Sequence, residues 1–397
     1  VFAMGGISAI EFLESENEDE ENFYSNNEDL TNKVNTGVVG VSHQYLFSNS
    51  LYSKLTLALT ATQNLTTIDT LDISRTNLSP VYRQDFSIGT VRMHGFLNKK
   101  INVHHSIRLG ALISLQSFNL LDSGYSSDYS TFVTYRDFNG EDVQYQPYLN
   151  WQYRITDNWE MNTGLHSMIL KNNGNAALEP RFGMTYRLDN SQSLNIGYGL
   201  HHQVPGVATL YDQTRLPDGS YVKLNENLEF SRAHHFVLGY DKMFANRIHF
   251  KTETYYQNVS NAVIERRPSA FSSLNYGSFN ISTPDSVKNG GIGYNYGLDI
   301  TLEKFMDKGF YFMSTLSLFE SRYQGSDEIW RNTAFNGNYV FNVLGGKEFV
   351  LKKGDSGKRN TLTLDTKFTY AGGQRYTPLD LAASILENDA VFDESNA

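Results

Sequence analysis

The sequence predicts an all-β fold, a transmembrane β-barrel whose antiparallel strands are connected up and down. Three observations support this fold class: apolar and polar residues alternate along many segments, those segments are long, and short connections alternate with long ones. The composition agrees, because aromatic residues make up 13% of the chain and charged residues only 19%. Membrane barrels place aromatic side chains at both lipid–water interfaces, which accounts for such an excess.

The alternation is clearest between residues 193 and 201. Apolar side chains occupy every second position there, namely Leu194, Ile196, Tyr198 and Leu200. Successive side chains of a strand point to opposite faces, so this strand has one apolar and one polar face. The same pattern predicts about fifteen strands in all. Their centres lie near residues 7, 40, 58, 90, 108, 148, 165, 184, 198, 238, 253, 299, 316, 343 and 366.

The predicted strands are long, with about nine to fifteen residues, whereas strands of soluble proteins have about five or six. Strands of the greater length can cross a membrane at a tilt. The chain contains no apolar run of about eighteen residues, the length that a membrane-spanning helix needs. This excludes a helical membrane protein and leaves the barrel.

Short and long connections alternate along the chain. The short links are residues 47–51, 98–100, 156–158, 189–192, 244–247, 305–309 and 352–359. The long ones are residues 14–33, 65–83, 118–140, 172–179, 204–231, 260–293 and 323–335, and everything after 372. Outer-membrane barrels have tight periplasmic turns and long extracellular loops. The alternative is a soluble solenoid, propeller or sandwich, but no repeat of fixed period is present.

The composition also excludes several classes of function. The chain has no cysteine, which rules out disulfides, thiolate metal sites and cysteine nucleophiles. Its formal charge of -10 argues against a nucleic-acid partner, which would need a basic face. No nucleophile elbow, paired-histidine zinc helix or phosphate-binding glycine loop is present, so we expect neither an enzyme nor a cofactor.

Four segments, clearest after about residue 140, resemble the TonB-dependent receptors of Bacteroidetes type. They are LEFSRAHHFVLGYD (228–241), GYNYGLDITLEK (293–304), WRNTAFNGNY (330–339) and YAGGQRYTP (370–378). The resemblance implies an energy-coupled importer of the Gram-negative outer membrane, with a plugged lumen and about 22 strands. It also implies four partners: outer-membrane lipids or lipopolysaccharide, the TonB complex acting through the plug, an unknown transported ligand, and a surface lipoprotein.

The chain departs from that family pattern at both ends. No plug domain precedes the barrel, no TonB-contacting box is visible, and the chain stops in a loop at Ala397. We therefore expect residues 1–397 to form a partial barrel of about 15 of 22 strands, without the plug domain and the terminal strands. Such a piece should not insert stably by itself, because lipid does not tolerate open sheet edges.

Ligand contact is expected in the long outer loops, since loops on a rigid scaffold usually carry recognition. In loop 204–231 the candidates are Tyr211, Asp212, Arg215, Asp218 and Tyr221. In the last loop they are Arg375 and Tyr376. Aromatic rings beside polar groups suit saccharides, peptides and metal chelates equally, so the class of ligand stays open.

Strand parity predicts a set of charged side chains that face the lumen. They are Arg154, Arg181, Arg187, Asp241, Lys251, Glu253, Asp299 and Glu303, with Arg108, Glu160, Asp365 and Lys367 of the same parity. The resemblance implies that such wall residues contact the plug. The alternative is that they are hydrated or pair across neighbouring strands.

Two further groups could bind metal ions. Among three histidine pairs, parity points His104, His201 and His235 inward, and His202 and His234 toward the outer interface. A site would require the inward rings to converge, and no metal is predicted. The acidic residues between Glu14 and Asp29 form either a solvated loop or a divalent-cation site, but they lack the spacing of a calcium loop.

The leading hypothesis is TonB-dependent uptake of a ligand that the extracellular loops bind. The alternatives are a non-coupled outer-membrane channel or porin, and a surface-binding barrel protein or outer-membrane enzyme. A plug-coding segment upstream of Val1 would favour the first hypothesis over the second.

Overall fold

One antiparallel sheet contains most of the chain. The computed structural model describes residues 1–12, 28–71, 77–127, 129–244, 247–275, 284, 286–353, 359–387 and 391–393. The strands are β1 (Phe2–Phe12), β2 (Glu28–Ser48), β3 (Leu51–Leu71), β4 (Leu78–Lys100), β5 (His105–Ser126), β6 (Thr131–Arg154), β7 (Trp159–Leu170), β8 (Ala176–Asp189), β9 (Gln192–Gln203), β10 (Thr214–Arg215), β11 (Tyr221–Val222), β12 (Ser231–Phe244), β13 (Ile248–Glu265), β14 (Val287–Asp307), β15 (Phe310–Gln324), β16 (Trp330–Asn332), β17 (Tyr339–Lys353) and β18 (Arg359–Ala371). Two short helices are α1 (Val207–Leu210) and α2 (Leu381–Glu387). In the described part of the chain, no helix is long and apolar enough to cross a membrane.

The fifteen long strands pair with their neighbours in the order of the sequence. The path runs from β1 to β9, continues through β12, β13, β14 and β15, and ends with β17 and β18. β16 pairs with β15, and β10 and β11 form a separate hairpin. Each of the fifteen predicted centres falls within one of these strands, so the predicted strand order is confirmed.

The outward face of the sheet carries an apolar band. One row of residues in register across β2 to β6 is Val39, Leu59, Val91, Leu115 and Val143. A second row on the same face lies four residues further along each strand. It consists of Asn35, Gln63, Ser87, Asn119 and Asn139. The change from apolar to amide and hydroxyl side chains marks the outer limit of the lipid-facing surface, because hydrocarbon does not accept such a polar row.

Aromatic side chains border this band on both sides. Five of them form one row across β8, β9, β12, β13 and β14: Phe182, Tyr198, Phe236, Tyr256 and Tyr296. At the end with short turns, Trp159 stacks on Tyr186 at 4.3 Å between ring centroids. These are the two aromatic girdles that the composition predicted.

The strands are longer than predicted, and β6 reaches 24 residues. Most of 65–83 and 118–140, predicted as loops, is strand, and the connection between β7 and β8 spans only residues 171–175. Above the apolar band the outward face no longer needs apolar residues, so the alternation on which the prediction relied disappears. The long loop 204–231 is confirmed as mostly irregular.

The hydrophobic core lies inside the outer mouth of the curled sheet. Leu210 and Tyr211 of loop 204–231 are 5% and 8% exposed. They pack against Leu120 of β5 and against Val263 and Val287 of β13 and β14. The loop is therefore folded inward, between two distant parts of the sheet.

Candidate ligand-binding cavity

A cavity of about 1040 Å³ lies beside the in-folded loop, on the inner side of the sheet. Its walls come from β2, β3 and β4 on one side and from β9, β12, β13 and β14 on the other. The loop backbone at residues 204–206 closes one border. The volume lies at the upper end of the range of small-molecule sites in proteins.

The first wall carries a ladder of polar side chains that share one register row. The row is Asn32, Thr66, Gln84, Asp122 and Arg136, on β2 to β6. The Asn32 amide donates to Thr66 Oγ1 at 2.8 Å and to Asn64 Oδ1 at 2.9 Å. The Tyr82 hydroxyl lies 2.8 Å from Asp122 Oδ2 and 3.1 Å from Gln84 Oε1. This first ladder fixes the amides that face the cavity.

The opposite wall carries a second ladder, formed by His235, Gln257 and Asn295 on β12, β13 and β14. Gln257 Nε2 lies 2.8 Å from His235 Nε2, and the Asn295 amide donates to Gln257 Oε1 at 2.5 Å. The His201 ring meets the His235 ring edge-on at 4.8 Å between centroids. All four side chains line the cavity.

A buried ion pair anchors the loop to the first wall. Arg136 donates from Nε to Asp122 Oδ1 at 2.9 Å and from Nη2 to Oδ2 at 2.6 Å. Its Nη1 lies 3.5 Å from the carbonyl oxygen of Ala208 in α1 and 3.9 Å from Asp212 Oδ1. Burial, reinforced by the charge of Asp122, raises the pKa of Tyr82, so its hydroxyl keeps the proton that it donates.

A second buried carboxylate lies near the outer end of β8. Glu179, 2% exposed, accepts from His166 Nδ1 at 2.7 Å, from Arg181 Nη2 at 2.9 Å and from the His202 backbone N–H at 2.6 Å. Burial alone would raise the pKa of Glu179, but these hydrogen bonds outweigh it and lower the pKa. The cluster ties β7, β8 and β9 together.

The prediction that His202 points to the outer interface is wrong. Its Nδ1 lies 3.4 Å from Glu179 Oε1, and its ring is 6.4 Å from that of Phe230. The carboxylate and the buried Phe230 draw the ring away from lipid. His234 does lie on the outward face, where its Nδ1 is 3.1 Å from the Tyr198 hydroxyl.

The loop residues proposed for ligand contact fall into two groups. Tyr211 and Asp212 are buried, and Tyr211 stacks on Phe138 at 3.6 Å. Arg215, Asp218 and Tyr221 belong to the β10–β11 hairpin instead. None of the five is among the described residues that line the cavity.

The hairpin holds its own side chains in place. The Arg215 guanidinium lies 4.4 Å above the Tyr129 ring. Asp218 accepts from the backbone N–H and the hydroxyl of Ser220, at 2.9 and 2.6 Å, and these bonds lower the pKa of Asp218. Tyr221 is 40% exposed. Ligand contact by this hairpin stays a prediction.

The candidates in the last loop are separate from the cavity. Arg375 donates from Nε to the carbonyl oxygen of Asn336 at 3.0 Å and also contacts Asn338. Tyr376 is 82% exposed. Their role in ligand contact is likewise untested.

The predicted lumen-wall charges lie on the same face as the cavity, closer to the short turns. Among them, Lys251 pairs with Glu253 at 2.6 Å, and Arg187 pairs with Glu160 at 3.1 Å. In register, Asp241 lies opposite Lys251, Glu303 opposite His249 and Arg154 opposite Glu160, whereas Asp299 lies opposite another carboxylate, Glu253. Arg181 also lines a smaller cavity of about 450 Å³. Pairing across strands therefore occurs, and contact with a plug stays a prediction.

The inward histidines do not converge as a metal site. His104 lies in the turn before β5, where its Nδ1 bonds to the carbonyl oxygen of Arg154 at 2.7 Å, whereas His201 and His235 are at the cavity. In the part of the chain that the structure covers, no three His, Asp or Glu side chains are placed to hold a metal ion. Residues Glu14 to Glu21 lie outside the described residues, and Glu28 and Asp29 begin β2.

The amides of the two ladders were missed by the sequence interpretation. Asn32, Gln84, Gln257 and Asn295 were not singled out because only charged, aromatic and histidine side chains were considered. The sequence did contain a signal for these amides. All four occupy strand positions that face the lumen, and the opposite face of each strand is apolar closer to the short turns.

This chain is similar to known proteins both in sequence, through a family model, and in fold, through solved structures. Residues 10–391 match the family model described as TonB dependent receptor-like, beta-barrel. No curated protein sequence matches the chain. The ferric yersiniabactin uptake receptor FyuA from Yersinia pestis is similar over 86% of this chain and 54% of its own, with a TM-score of 0.59 and 9% identity.

Two other solved structures are similar to the same extent. The RagAB peptide transporter matches over 86% of this chain and 48% of its own, with a TM-score of 0.58 and 11% identity. The ferric-catecholate import receptor Fiu from K12 E. coli matches over 81% and 52%, with a TM-score of 0.55 and 10% identity. The chain spans about half the length of these structures, and the likeness shows a shared fold.

Proposed function

Because the chain belongs to the family of TonB-dependent receptor-like β-barrels, which lie in the outer membrane, we propose that it forms the ligand-binding wall of an energy-coupled importer. The observation that carries this proposal is the cavity of about 1040 Å³ at the outer mouth, between the two polar ladders and the in-folded loop. A receptor that captures a solute from outside needs a concave, pre-formed site in which apolar side chains are combined with a few convergent polar groups, and this cavity has both.

The energy would come from the TonB complex, acting through a plug inside the lumen. The charged residues nearer the short turns, such as Asp241 and Lys251, are suited to contact that plug, because a polar wall can exchange its own pairs for new ones at little cost. We propose a surface lipoprotein as a further partner, as the resemblance of segments such as 228–241 to TonB-dependent receptors of Bacteroidetes type implies. The family consists of transporters and receptors, and we propose that this chain has no catalytic role.

A non-coupled channel is the second candidate function. The in-folded loop favours a channel, because a loop packed inside the mouth narrows the passage without any plug. In that case solutes would diffuse past the loop and no energy source would be needed.

Growth of three strains distinguishes the two functions: one without the gene, one without TonB, and the parent. Each is grown on a panel of single nutrients that limit growth. Energy-coupled import predicts that the gene deletion and the TonB deletion lose growth on the same nutrient, and that the full-length gene restores it only when TonB is present. Restoration without TonB would contradict coupling and favour the channel.

A further inference from the structure

Amides are the most frequent polar side chains in the lining of the cavity, which also contains apolar side chains such as Phe86 and Val259. The amides are Asn32, Asn64, Gln84, Gln203, Gln257 and Asn295. An amide has two N–H donors and a carbonyl oxygen with two lone pairs, and it carries no charge. The ladders use only part of this capacity; the bond from Asn32, for example, occupies one acceptor position of Asn64. The remaining donors and acceptors are available to a ligand.

The lining offers little charge to a ligand. None of the described residues that line the cavity is an aspartate or a glutamate. Arg136 is neutralised by its two bonds to Asp122. Arg232 keeps its charge, but it lies on the outward face of β12 with Phe236, where its Nε donates to Ser260 at 2.8 Å. Moving a charged group out of water is costly unless the site supplies an opposite charge.

The imidazoles of His201 and His235 on the second wall add hydrogen-bonding groups, not charge, while the third lining histidine, His202, faces Glu179. Burial, followed by the nearby charges of Arg181 and His235, lowers the pKa of His201, so its ring is neutral near pH 7. A neutral imidazole has one donor and one acceptor nitrogen. His201 and His235 therefore extend the amide lining with groups of the same kind.

From this lining we propose that the cavity binds an uncharged solute rich in hydroxyl or amide groups and discriminates against ions. The proposal rests on the proposed function and specifies its ligand. A cationic solute, such as a peptide with a free ammonium group, finds no carboxylate among the described lining residues. A multiply charged ferric chelate would meet an arginine already engaged by Asp122.

The test is binding to the purified full-length protein in detergent, with no TonB present. Four probes are used: maltotetraose and acetyl-tetra-alanine amide as neutral solutes, tetralysine as a cation, and the ferric tris-catecholate complex as an anion. At least one neutral probe should bind with an affinity that stays constant between about 50 mM and about 500 mM salt, because screening acts only on charges.

Two substitutions locate the bound probe. Gln257→Ala and Asn295→Ala should each weaken the neutral probe by about tenfold, the loss expected for one hydrogen bond. The matched control is Asn139→Ala, because Asn139 is an exposed amide on the outward face of β6 and should leave binding unchanged. Equal thermal unfolding of all three variants and the parent excludes misfolding as the cause.

Three results would overturn the proposal: neither neutral probe binds, tetralysine or the ferric complex binds more tightly than both neutral probes, or both cavity variants bind as well as the parent. These outcomes are independent of the growth experiment. A receptor that imports only charged chelates with TonB would keep the proposed function and lose this inference. Binding of a neutral probe without any TonB-dependent growth would keep this inference and contradict the proposed function.

Discussion

Arg136 on β6 holds Asp122 on β5 through both carboxylate oxygens, and both side chains are buried. The same guanidinium reaches the backbone of Ala208 in α1. One arginine thus connects the wall of the cavity with the loop that borders it. The position of the loop depends on this pair as well as on its apolar contacts.

We expect Asp122→Asn to destabilise the outer half of the protein by about 3 kcal/mol, because it leaves the buried Arg136 with only the more distant carboxylate of Asp212, 3.9 Å away. Chemical unfolding of the full-length protein, followed by intrinsic fluorescence, measures the change. Asp137→Asn on β6 is the control, since Asp137 is exposed and its loss should have little effect. Equal stability of the two variants would show that the pair is dispensable.

Removal of the Tyr211 ring should release the loop from the mouth of the barrel. The ring is buried and stacks on Phe138, so Tyr211→Ala should cost about 3–5 kcal/mol in local packing. Limited proteolysis of intact cells should then cut within residues 204–230 faster than in the parent protein. Tyr221→Ala serves for comparison, because Tyr221 is 40% exposed and its removal should leave the rate of cleavage unchanged.

The stability of the Glu179 cluster should depend on pH in the acid range. Hydrogen bonds lower the pKa of Glu179 in the folded protein below its ordinary value of 4.5. As the pH falls below that value the unfolded chain takes up a proton first, which favours unfolding. The contribution is therefore fully present near neutral pH and is lost as the pH falls through the lowered pKa.

Unfolding midpoints between about pH 7 and about pH 3 test this dependence. Glu179→Gln should lower the midpoint at neutral pH and flatten the decline in acid. Parallel declines of the variant and the parent would mean that other carboxylates are responsible.

A charge on the lipid face should be far more costly than one on the neighbouring lumen face. Leu298→Arg places a cation in the apolar band of β14 and should cost about 2–4 kcal/mol in vesicles. Asp299→Arg, one residue further, faces Glu253 on the adjacent strand and should cost much less. Urea unfolding in lipid vesicles compares the two, and equal losses would contradict the assignment of the faces.

The sequence was sufficient to predict the strands that cross the apolar band, because lipid imposes alternation on them. Leu194, Ile196 and Tyr198 lie on one face as predicted. Beyond the band that constraint ends, and the outer parts of β5 and β6, which contain Phe118 and Asn139, could not be recognised from alternation. Their register is fixed by hydrogen bonds to the neighbouring strands, as between Phe118 and Gly140, and alternation within one segment does not contain that information.

The cavity could be predicted only in part. Loop 204–231, the leading candidate for ligand contact in the sequence, borders the cavity, but Tyr211 and Asp212 resemble contact residues in sequence and are buried in the structure. Their burial depends on Arg136 and Phe138, more than seventy residues earlier in the chain. The amides of the ladders can be recognised as a site only from the fold, which brings Asn32 and Asn295 to the same cavity.

The strands β4, β5 and β6 extend beyond the apolar band, so a part of the sheet projects from the outer side of the membrane. From the row of Asn119, which marks the outer limit of the band, to its end at Ser126, β5 adds about seven residues, or roughly 23 Å of strand. A solute that approaches the cavity passes this wall, whose shape is set by backbone hydrogen bonds between neighbouring strands. Antibodies raised against the denatured chain should miss this wall on living cells, because its epitopes are assembled from neighbouring strands.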